Sequence, residues 1–268
     1  MSPNRLRLGA VSYLNARPLV YGLERKPRFD LRYDVPSECA RLLHGGSIDV
    51  GLIPSIEYLR GPQPYALVPG PAVTSRGPVA SVALYTRLEP RDIRSVAMDS
   101  SSRTSVALAT VMLRRFFGVS PEAVSMAPDL ESMLARADAA LIIGDKALVW
   151  EPDHRPIQKI DLGEAWTSLT GLPFVWAFWA GPAGVLGAGD VSALQSARDE
   201  GVRQSDTIGR EYFRDLPQHR DLGARYLRDN IKYYLGAEER AGLESFYRYA
   251  AEIAVVDRAP DSQSLRFY

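Results

Sequence analysis

Strand and helix signals alternate along the first part of the chain, and this alternation constrains the fold more than any other feature of the sequence. Short apolar runs at Arg5–Val11, Leu31–Val35 and Ile48–Ile53 predict strands. Between them, Pro18–Leu23 and Glu38–His44 are predicted helices, the first with proline in its first turn and the second followed by a glycine pair. Strand–helix–strand units of this size predict parallel strands in a sheet that helices cover on both faces.

The alternation continues in the middle of the chain and then gives way to helix. We predict strands at Ala80–Thr86, Ile93–Met98, Ala139–Ile143 and Phe174–Ala180, whereas residues 191–256 carry a mostly helical pattern. No internal repeat and no low-complexity segment interrupts this order. The pattern therefore predicts an α/β protein with a helical C-terminal third.

A chain of 268 residues is long for one domain, since domains typically hold about 100–200 residues. We predict two lobes, with residues 1–88 and 178–268 in lobe I and residues 89–177 in lobe II. The chain would cross near Tyr85–Arg94 and return near Leu172–Pro182. Each lobe is expected to hold a mixed, mostly parallel sheet flanked by helices. The ligand cleft would lie between the lobes, because ligands of such sheets bind at the carboxyl ends of the strands.

Charge and hydropathy argue against several classes of partner. The chain has 32 lysines and arginines and 32 aspartates and glutamates, so its formal net charge is zero. A neutral chain argues against a dedicated nucleic-acid or anionic-membrane binder, and no stretch reaches the roughly 18 apolar residues of a membrane span. The single cysteine, Cys39, fits a reducing compartment. Strand-like sequence begins by Leu6 and leaves no room for a signal peptide, so we expect a cytoplasmic protein.

Known cofactor motifs are missing from the sequence. It contains neither the G-x-x-x-x-G-K-[ST] phosphate loop nor the G-x-G-x-x-G dinucleotide fingerprint. The three histidines, His44, His154 and His219, lie far apart and lack the spacing of metal ligands. No serine stands in a G-x-S-x-G nucleophile elbow. We therefore expect a protein without metal or other cofactor, and the sequence does not support a hydrolase triad.

Polar residues recur where strands of the predicted sheets end. Ser12 and Asn15 follow the first strand, Ser55 follows the third, and Asp145 follows the strand Ala139–Ile143. The segment Ser100–Thr104 opens a predicted amphipathic helix, whose free N–H groups favour a carboxylate or phosphate. Ordinary caps and turns would use the same residue types, so these positions predict a small-anion site without deciding between an enzyme and a binding protein.

Several long stretches of the chain resemble the chorismate dehydratases of the futalosine route to menaquinone. The resemblance covers nearly the whole chain, in order, and is carried by these segments: GAVSYLNARPLVYGL, PSECARLLHGGSIDVGLIPSIEY, SRGPVASVALYTR, MDSSSRTSVAL, DAALIIGDKAL and NIKYYLGAEERAGLESFYRYA. It implies the type II periplasmic-binding-protein fold with two discontinuous lobes. It also implies a hydro-lyase that converts chorismate to 3-[(1-carboxyvinyl)oxy]benzoate without a cofactor.

The resemblance also assigns candidate roles to residues of these segments. Asn15 is the candidate catalytic residue, because a neutral amide can donate and accept hydrogen bonds beside a dianionic substrate. The candidate substrate-binding residues are Ser12, Arg17, Ser55, Ser75, Gly77, Ser101, Ser102, Arg103, Thr104 and Asp145. No histidine stands in these segments at a position that suggests a base, so the substrate's own enolpyruvyl carboxylate is one candidate for removing the proton.

Three other functions remain open at this point. A non-catalytic solute-binding protein would share the fold, but the expected absence of a signal peptide and of a lipid-anchor cysteine argues against it. The 1,4-dihydroxy-6-naphthoate synthase of the same route would share the fold and, by resemblance, use a histidine, whereas the corresponding stretch here is IIGDKAL. A ligand-sensing regulator would bring a DNA-binding helix pair and a basic face, and neither is recognisable in the sequence.

Overall fold

The computed structural model describes residues 5–151, 156–257 and 265–268, so His154 lies outside the described residues. The strands are β1 (Leu6–Val11), β2 (Phe29–Asp34), β3 (Val50–Pro54), β4 (Tyr65–Ser75), β5 (Val82–Thr86), β6 (Ser95–Asp99), β7 (Glu122–Met126), β8 (Ala139–Ile143), β9 (Gln158–Asp161), β10 (Phe174–Pro182) and β11 (Lys232–Tyr234). They form a six-stranded sheet of order β11-β4-β10-β3-β1-β2 and a five-stranded sheet of order β7-β6-β8-β5-β9. We call the two sheets, with the helices around them, the first and the second lobe.

Helices surround both sheets. The α-helices are α1 (Pro36–His44), α2 (Glu57–Arg60), α3 (Thr104–Val111), α4 (Leu130–Arg136), α5 (Asp145–Leu148), α6 (Leu162–Thr170), α7 (Ala188–Arg203), α8 (Ser205–Tyr212), α9 (Arg220–Arg225) and α10 (Ala237–Glu252). Tighter 3₁₀ turns form at Leu14–Val20, Leu23–Arg25, Pro90–Asp92 and Pro217–His219, and wider π turns extend α3 and α9 at Met112–Phe116 and Tyr226–Asn230. The C-terminal third, predicted to be mostly helical, contains the helices α7 to α10, but it also contributes the short strand β11 to the first sheet.

Each sheet is mixed, as predicted, and the two share one plan. In the first, β1 pairs in parallel with β2 and β3, while β10 runs antiparallel to β3 and β4. In the second, β6 pairs in parallel with β7 and β8, while β5 runs antiparallel to β8 and β9. The antiparallel strands β5 and β10 are the first strands after the chain changes lobe. The parallel pairs therefore form about half of each sheet rather than most of it.

Strand pairing places the chain crossings slightly earlier than the sequence suggested. The first crossing lies between the end of β4 at Ser75 and the start of β5 at Val82, because β5 pairs within the second sheet. The return lies between the end of α6 at Thr170 and the start of β10 at Phe174. The boundaries at residues 88/89 and 177/178 would thus assign β5 to lobe I and divide β10. Those boundaries were predicted from turn residues, which are local signals, whereas the sheet to which a strand belongs depends on long-range pairing.

Side chains of β5 alternate between two apolar clusters, as expected for a strand whose two faces are both covered. Val82 and Leu84 belong to a large buried cluster that also includes Leu8 of the first sheet. Ala83 and Tyr85 belong to a smaller cluster on the other face of the second sheet. The large cluster therefore continues from one lobe into the other and supports the cleft between them.

The sequence analysis missed β4, which is the longest strand and lies inside the first sheet. Its centre is Pro69-Gly70-Pro71, and proline usually excludes a central strand because it cannot donate to the ladder. The strand tolerates it because its pairing with β10 contains register irregularities and Gly70 adopts a φ of +102°. A second local difference is the start of α1, which lies two residues before the predicted start at Glu38: Val35 is the N-cap and Pro36 opens the helix.

Candidate functional site

A cavity lies between the two lobes, at the carboxyl ends of β1, β3, β6 and β8. The space between its wall atoms is about 550 Å³, and this figure includes space open to solvent. Most of its wall is apolar, and the residues that form the apolar wall include Val11, Leu52, Val73, Val79, Val82, Ile143 and Trp176. The position is the one that the strand-end argument predicted for a ligand.

The polar part of the wall comes from two short segments, one on each side. Asn15 lies in the 3₁₀ turn after β1, and Ser102, Arg103 and Thr104 lie where α3 begins. The first N–H groups of a helix have no partner within the helix, so the start of α3 offers donors and a partial positive charge to an anion. The guanidinium of Arg103 adds a full positive charge. Four predicted site residues therefore meet at one cavity.

Thr104 also joins the two lobes. Its hydroxyl accepts a hydrogen bond from the backbone N–H of Ile56 at 3.2 Å and lies 3.4 Å from the hydroxyl of Ser55. Ser55 is fully buried and donates to the backbone oxygen of Val175 at 2.8 Å. Ser55 is thus next to the cavity without lining it, and its hydroxyl stabilises the contact between lobes.

A second link between the lobes runs through Tyr13, Ser101 and Asp99. The buried Asp99 carboxylate accepts from the N–H of Ser101 at 2.9 Å and from its hydroxyl at 2.7 Å. The Tyr13 and Ser101 hydroxyl oxygens are 3.0 Å apart, and because the serine proton is committed to Asp99, Tyr13 is the donor. Burial is the main cause of a raised pKa for the Tyr13 phenol, so it stays protonated. Tyr13 therefore presents a neutral ring and hydroxyl to the cavity that it lines.

Asp145 makes the third link, from the start of α5 to the first lobe. Its carboxylate accepts from the N–H of Leu14 at 3.2 Å and from the hydroxyl of Tyr212 at 2.5 Å. Burial raises the pKa of Asp145, while these two hydrogen bonds and the charge of Arg17 act in the opposite direction. The carboxylate points to the protein's own donors, so its role in this structure is to hold the lobes together.

Gly144, directly before Asp145, lets the two lobes approach closely. Its backbone has φ +68° and ψ −149°, a conformation that residues with a side chain rarely adopt. A Cβ at this position would lie 2.8 Å from the ring of Tyr13, closer than real contacts allow. Both the backbone conformation and the space therefore require glycine here, between the second lobe and the opening turn of the first.

The remaining predicted site residues are not among those that line the cavity. Ser12 bonds through its backbone: its N–H donates to the oxygen of Asp34 at 2.9 Å, and its own oxygen accepts from Tyr212 and Arg17. Arg17 lies on a different face of the turn from Asn15, because 3₁₀ geometry separates residues two apart, and it lines a groove on the outer surface. There its guanidinium stacks on the rings of Tyr33 and Tyr212.

Ser75 and Gly77 belong to the first crossing. Ser75 accepts a hydrogen bond from the indole of Trp176 at 3.0 Å, so it orients a residue that lines the cavity. Gly77 donates its N–H to Thr167 at 2.9 Å and has a φ of +80°, so it serves the turn between the lobes. Direct contact with a ligand in this cavity is therefore not supported for Gly77.

Other features bear on classes of site that the sequence argued against. Among the described residues, no group of three histidine, cysteine, aspartate or glutamate side chains could hold a metal ion. Within that same part of the chain no helix is long and apolar enough to cross a membrane. Cys39 is fully buried on α1, and burial raises the pKa of its thiol to about 12, which agrees with its expected role as a small apolar residue.

Sequence reasoning missed Tyr13, Gly144 and Trp176 as site residues, although it noted all three segments. Tyr13 and Gly144 stand inside the two motifs that also contain Asn15 and Asp145, so their position was a usable signal. Trp176 stands in an apolar strand beside Phe174, Phe178 and Trp179, where core packing is the default expectation for an aromatic side chain. Its ring nevertheless lines the cavity, and its exposed fraction is only 7%.

Comparison with known proteins gives a consistent result. A family model described as menaquinone biosynthesis matches residues 6–252. The chain is 32% identical to the chorismate dehydratase of Thermus thermophilus over 89% of this chain and 93% of that protein. It is 30% identical to the chorismate dehydratase of Campylobacter jejuni over 63% of this chain and 64% of that protein.

A solved structure extends the comparison to the fold. The periplasmic aliphatic sulphonate binding protein of Escherichia coli superimposes with a TM-score of 0.59 at 18% identity, covering all of this chain and 93% of that one. This likeness shows the periplasmic-binding-protein fold that the sequence analysis predicted. The family match and the Thermus thermophilus relative together show that the chain belongs to the menaquinone biosynthesis family.

Proposed function

We propose that this protein is a chorismate dehydratase, which eliminates water from chorismate in the cavity between the lobes. The observation that carries the proposal is the alignment with the Thermus thermophilus chorismate dehydratase over nearly the full length of both chains. The product would be 3-[(1-carboxyvinyl)oxy]benzoate, used in the futalosine route to menaquinone. We expect the reaction to take place in the cytoplasm.

The polarity of the cavity wall supports a small dianion as substrate. Chorismate carries one carboxylate on the ring and one on the enolpyruvyl ether, and the polar wall has two separate parts to receive them. One part is Asn15, and the other is the start of α3 with Ser102, Arg103 and Thr104. The apolar wall, including Trp176 and Val82, suits the carbon ring between the carboxylates.

The reaction needs little from the protein beyond binding and orientation. Loss of water makes the ring aromatic, so the driving force lies in the substrate. The proton leaves from a carbon whose negative charge can spread onto the ring carboxylate, and donors that bind this carboxylate more strongly as its charge grows lower the barrier. We assign this role to the hydroxyls and N–H groups at the start of α3.

The proton acceptor in our proposal is the enolpyruvyl carboxylate of the substrate itself. The described residues that line the cavity include no carboxylate, imidazole or amine side chain. A carboxylate held on the substrate next to the proton gains the rate advantage of an intramolecular reaction. Asn15 would hold that carboxylate or the leaving hydroxyl without adding a negative charge.

Purified protein with chorismate tests the proposal directly. We expect conversion to a product that has lost one water by mass spectrometry and that has the ultraviolet spectrum of a substituted benzoate. Because side chains and substrate supply all the chemistry, turnover should be unchanged after treatment with a chelator and without added nucleotide or flavin. Asn15→Asp, purified in the same way, controls for contaminating enzymes. Chorismate binding without turnover by the wild-type protein would contradict the proposal.

A further inference from the structure

A tight, strained turn lies in the first crossing and is centred on Ala80. The N–H of Ser81 donates to the backbone oxygen of Val79 at 2.7 Å, and Ala80 between them has a φ of +62°. A bond between residues two apart, with a positive φ at the central residue, defines the rare and strained form of the γ-turn. Among the described residues, only Ala80 and Ala254 combine a side chain with a positive φ. The turn therefore needs support from outside its own sequence.

Two charged residues of β9 bond the turn on both sides of Ala80. The carboxylate of Asp161 accepts from the N–H of Val79 at 3.0 Å and from that of Ala80 at 2.6 Å. The ammonium of Lys159 donates to the backbone oxygen of Ala80 at 3.0 Å. Residues two apart on a strand point to the same face, so β9 presents both charges to the turn. Hydrogen bonds to charged groups are stronger than those between neutral groups, and these bonds offset the strain.

The turn leads directly into the wall of the cavity. Val79 and Val82 both line the cavity, and their exposed fractions are 1% and 6%. The backbone oxygen of Ser81, between them, accepts from the N–H of Gly144 at 2.8 Å, so the turn also meets the closest contact between the lobes. The described residues of β9 do not line the cavity. Asp161 therefore acts on this wall only through the turn.

We propose that Asp161 is a positioning residue that, together with Lys159, holds the strained turn at Ala80 and so places Val79 and Val82 against the ring of chorismate; this role rests on the proposed function. An alanine without this support would leave the left-handed conformation, and the apolar wall would move with it. A strand at the edge of the second sheet thereby determines the shape of the cavity.

The chain offers a matched control in Asp129. Asp161 is also the N-cap of α6, where its carboxylate accepts from two N–H groups of the helix. Asparagine caps a helix about as well as aspartate, but its NH₂ end donates and cannot accept. Asp161→Asn therefore keeps an acceptor for the cap and loses one for the turn. Asp129 is the N-cap of α4 in the same lobe, so Asp129→Asn makes the same change at a cap away from the turn.

Nuclear magnetic resonance of valine methyl groups labelled with ¹³C tests the support without any assay. Val79→Ala and Val82→Ala identify the two pairs of signals. We expect both pairs to shift in Asp161→Asn and to stay in place in Asp129→Asn. Adding Ala80→Gly to Asp161→Asn should return them toward their wild-type positions, since glycine adopts a positive φ without steric cost. Signals that stay in place in Asp161→Asn, or that do not return in the double variant, would overturn the proposal.

Lys159→Met gives an independent test that leaves the N-cap of α6 intact. It keeps the length of the side chain but removes the bond to the backbone oxygen of Ala80. Lys146→Met is its control, because Lys146 donates to the backbone oxygen of Pro128, outside the turn. The methyl signals of Val79 should shift in Lys159→Met and stay in place in Lys146→Met. Signals that stay in place in both would refute support from β9, even if the carboxylate variant does not fold.

Steady-state kinetics then test the consequence for chorismate. An apolar wall contacts the ring in the substrate and in the transition state alike, so its displacement weakens binding of both and raises KM more than it lowers kcat. KM should rise at least ~10-fold in Asp161→Asn, recover in the double variant with Ala80→Gly, and stay unchanged in Asp129→Asn. Equal KM in the two asparagine variants would overturn the positioning role. Absence of turnover in the wild-type protein would instead refute the proposed function, and the methyl signals would still report on the turn.

Discussion

Asn15 combines two properties that a catalytic amide needs. It follows the first strand of the parallel part of the first sheet, and it lines the cavity. Its neighbours in the cavity are neutral or positively charged, so a dianion meets no repulsion there. The chemistry of this one residue is therefore the most direct test of the site.

Asn15→Asp is expected to lower turnover at least ~100-fold, on the scale of removing one positioned donor. The new carboxylate is nearly the same size, but it repels the substrate and loses the NH₂ donor. Initial rates with chorismate and thermal melting measure the effect. Asn230→Asp adds the same charge at an asparagine outside the cavity and serves as control. Near-normal rates in Asn15→Asp would show that Asn15 is only a structural residue of the turn.

Ser102 and Thr104 are predicted to behave differently although both line the cavity. Thr104 also bonds the N–H of Ile56, so Thr104→Ala should weaken chorismate binding and lower the free energy of unfolding by about 1 kcal/mol. Ser102→Ala should weaken binding by roughly 1.5–3 kcal/mol, the value for a hydrogen bond to a charged group, with little change in melting. Binding measured by calorimetry and thermal melting curves distinguish a loss of affinity from a loss of stability in each variant. Unchanged affinity in Ser102→Ala would contradict a carboxylate contact there.

At the scale of elements, the turn between β8 and α5 brings the lobes together. Gly144 occupies a conformation reserved for glycine and lies against the ring of Tyr13. Asp145 follows at once and bonds the first lobe. In this short Gly-Asp motif, the glycine allows the two lobes to approach closely and the aspartate accepts a hydrogen bond from the first lobe.

Gly144→Ala should abolish most turnover because the new methyl group would push Tyr13 away and separate the lobes. Gly118→Ala is the matched control, since Gly118 also has a positive φ, of +71°, and meets open space. Backbone strain of about 1–3 kcal/mol is expected in each variant, so both should melt earlier, and Gly144→Ala more so because of its φ +68° and ψ −149°. Rates with chorismate should fall only in Gly144→Ala. Similar rates in the two variants would show that the contact with Tyr13 is dispensable.

At the scale of the whole molecule, the lobes are held closed by their own side chains. Tyr13 with Ser101, Thr104 with Ile56, and Asp145 with Leu14 each bond across the cleft. Because these bonds are few and lie at the site, the lobes are expected to open about the two crossings and to close around the ligand.

Small-angle scattering tests whether the two lobes close around a ligand. The radius of gyration of the wild-type protein should decrease when the reaction product is added at saturation, since bound ligand favours the closed state. Asp145→Asn removes one hydrogen-bond acceptor from the contacts that hold the lobes closed. It should therefore increase the radius of gyration of the free protein. Identical radii with and without product, and in wild type and Asp145→Asn, would contradict a hinge.

The raised pKa of Asp145 predicts a specific pH dependence of stability. An acid whose pKa rises on folding binds its proton more tightly in the folded state, so its contribution to stability falls as pH rises above the unfolded value of about 4. The melting temperature of wild type minus that of Asp145→Asn should therefore decrease as the pH rises above about 4 and become constant once the pH exceeds the raised pKa. Asp129→Asn is the control, because hydrogen bonds from Ser132 lower the pKa of Asp129, so the corresponding difference should not decrease with pH. A difference that increases with pH would contradict burial as the dominant effect on Asp145.

Much of this architecture could be predicted from the sequence because the signals are local. Apolar runs bounded by turn residues located β1, β3, β6, β8 and β10 within a few residues, and β8 matched in full. The polar residues that follow β1 and β6 line one cavity, because the carboxyl ends of these two strands, one in each sheet, both face the cleft. The sequence did not predict β4, because its prolines are unusual in a strand and its stability comes from the neighbouring strands on both sides.

By itself, the sequence determined the two-lobe α/β class, the family resemblance and the segments that form the site, because hydrophobic period and turn residues act over short distances. Only the tertiary structure decided which side chains within those segments face the cavity. Asn15 faces it and Arg17 does not, because a 3₁₀ turn separates them. Ser55 and Asp145 bond across the cleft because lobes distant in sequence come together there. Such contacts depend on long-range packing, which no local pattern encodes.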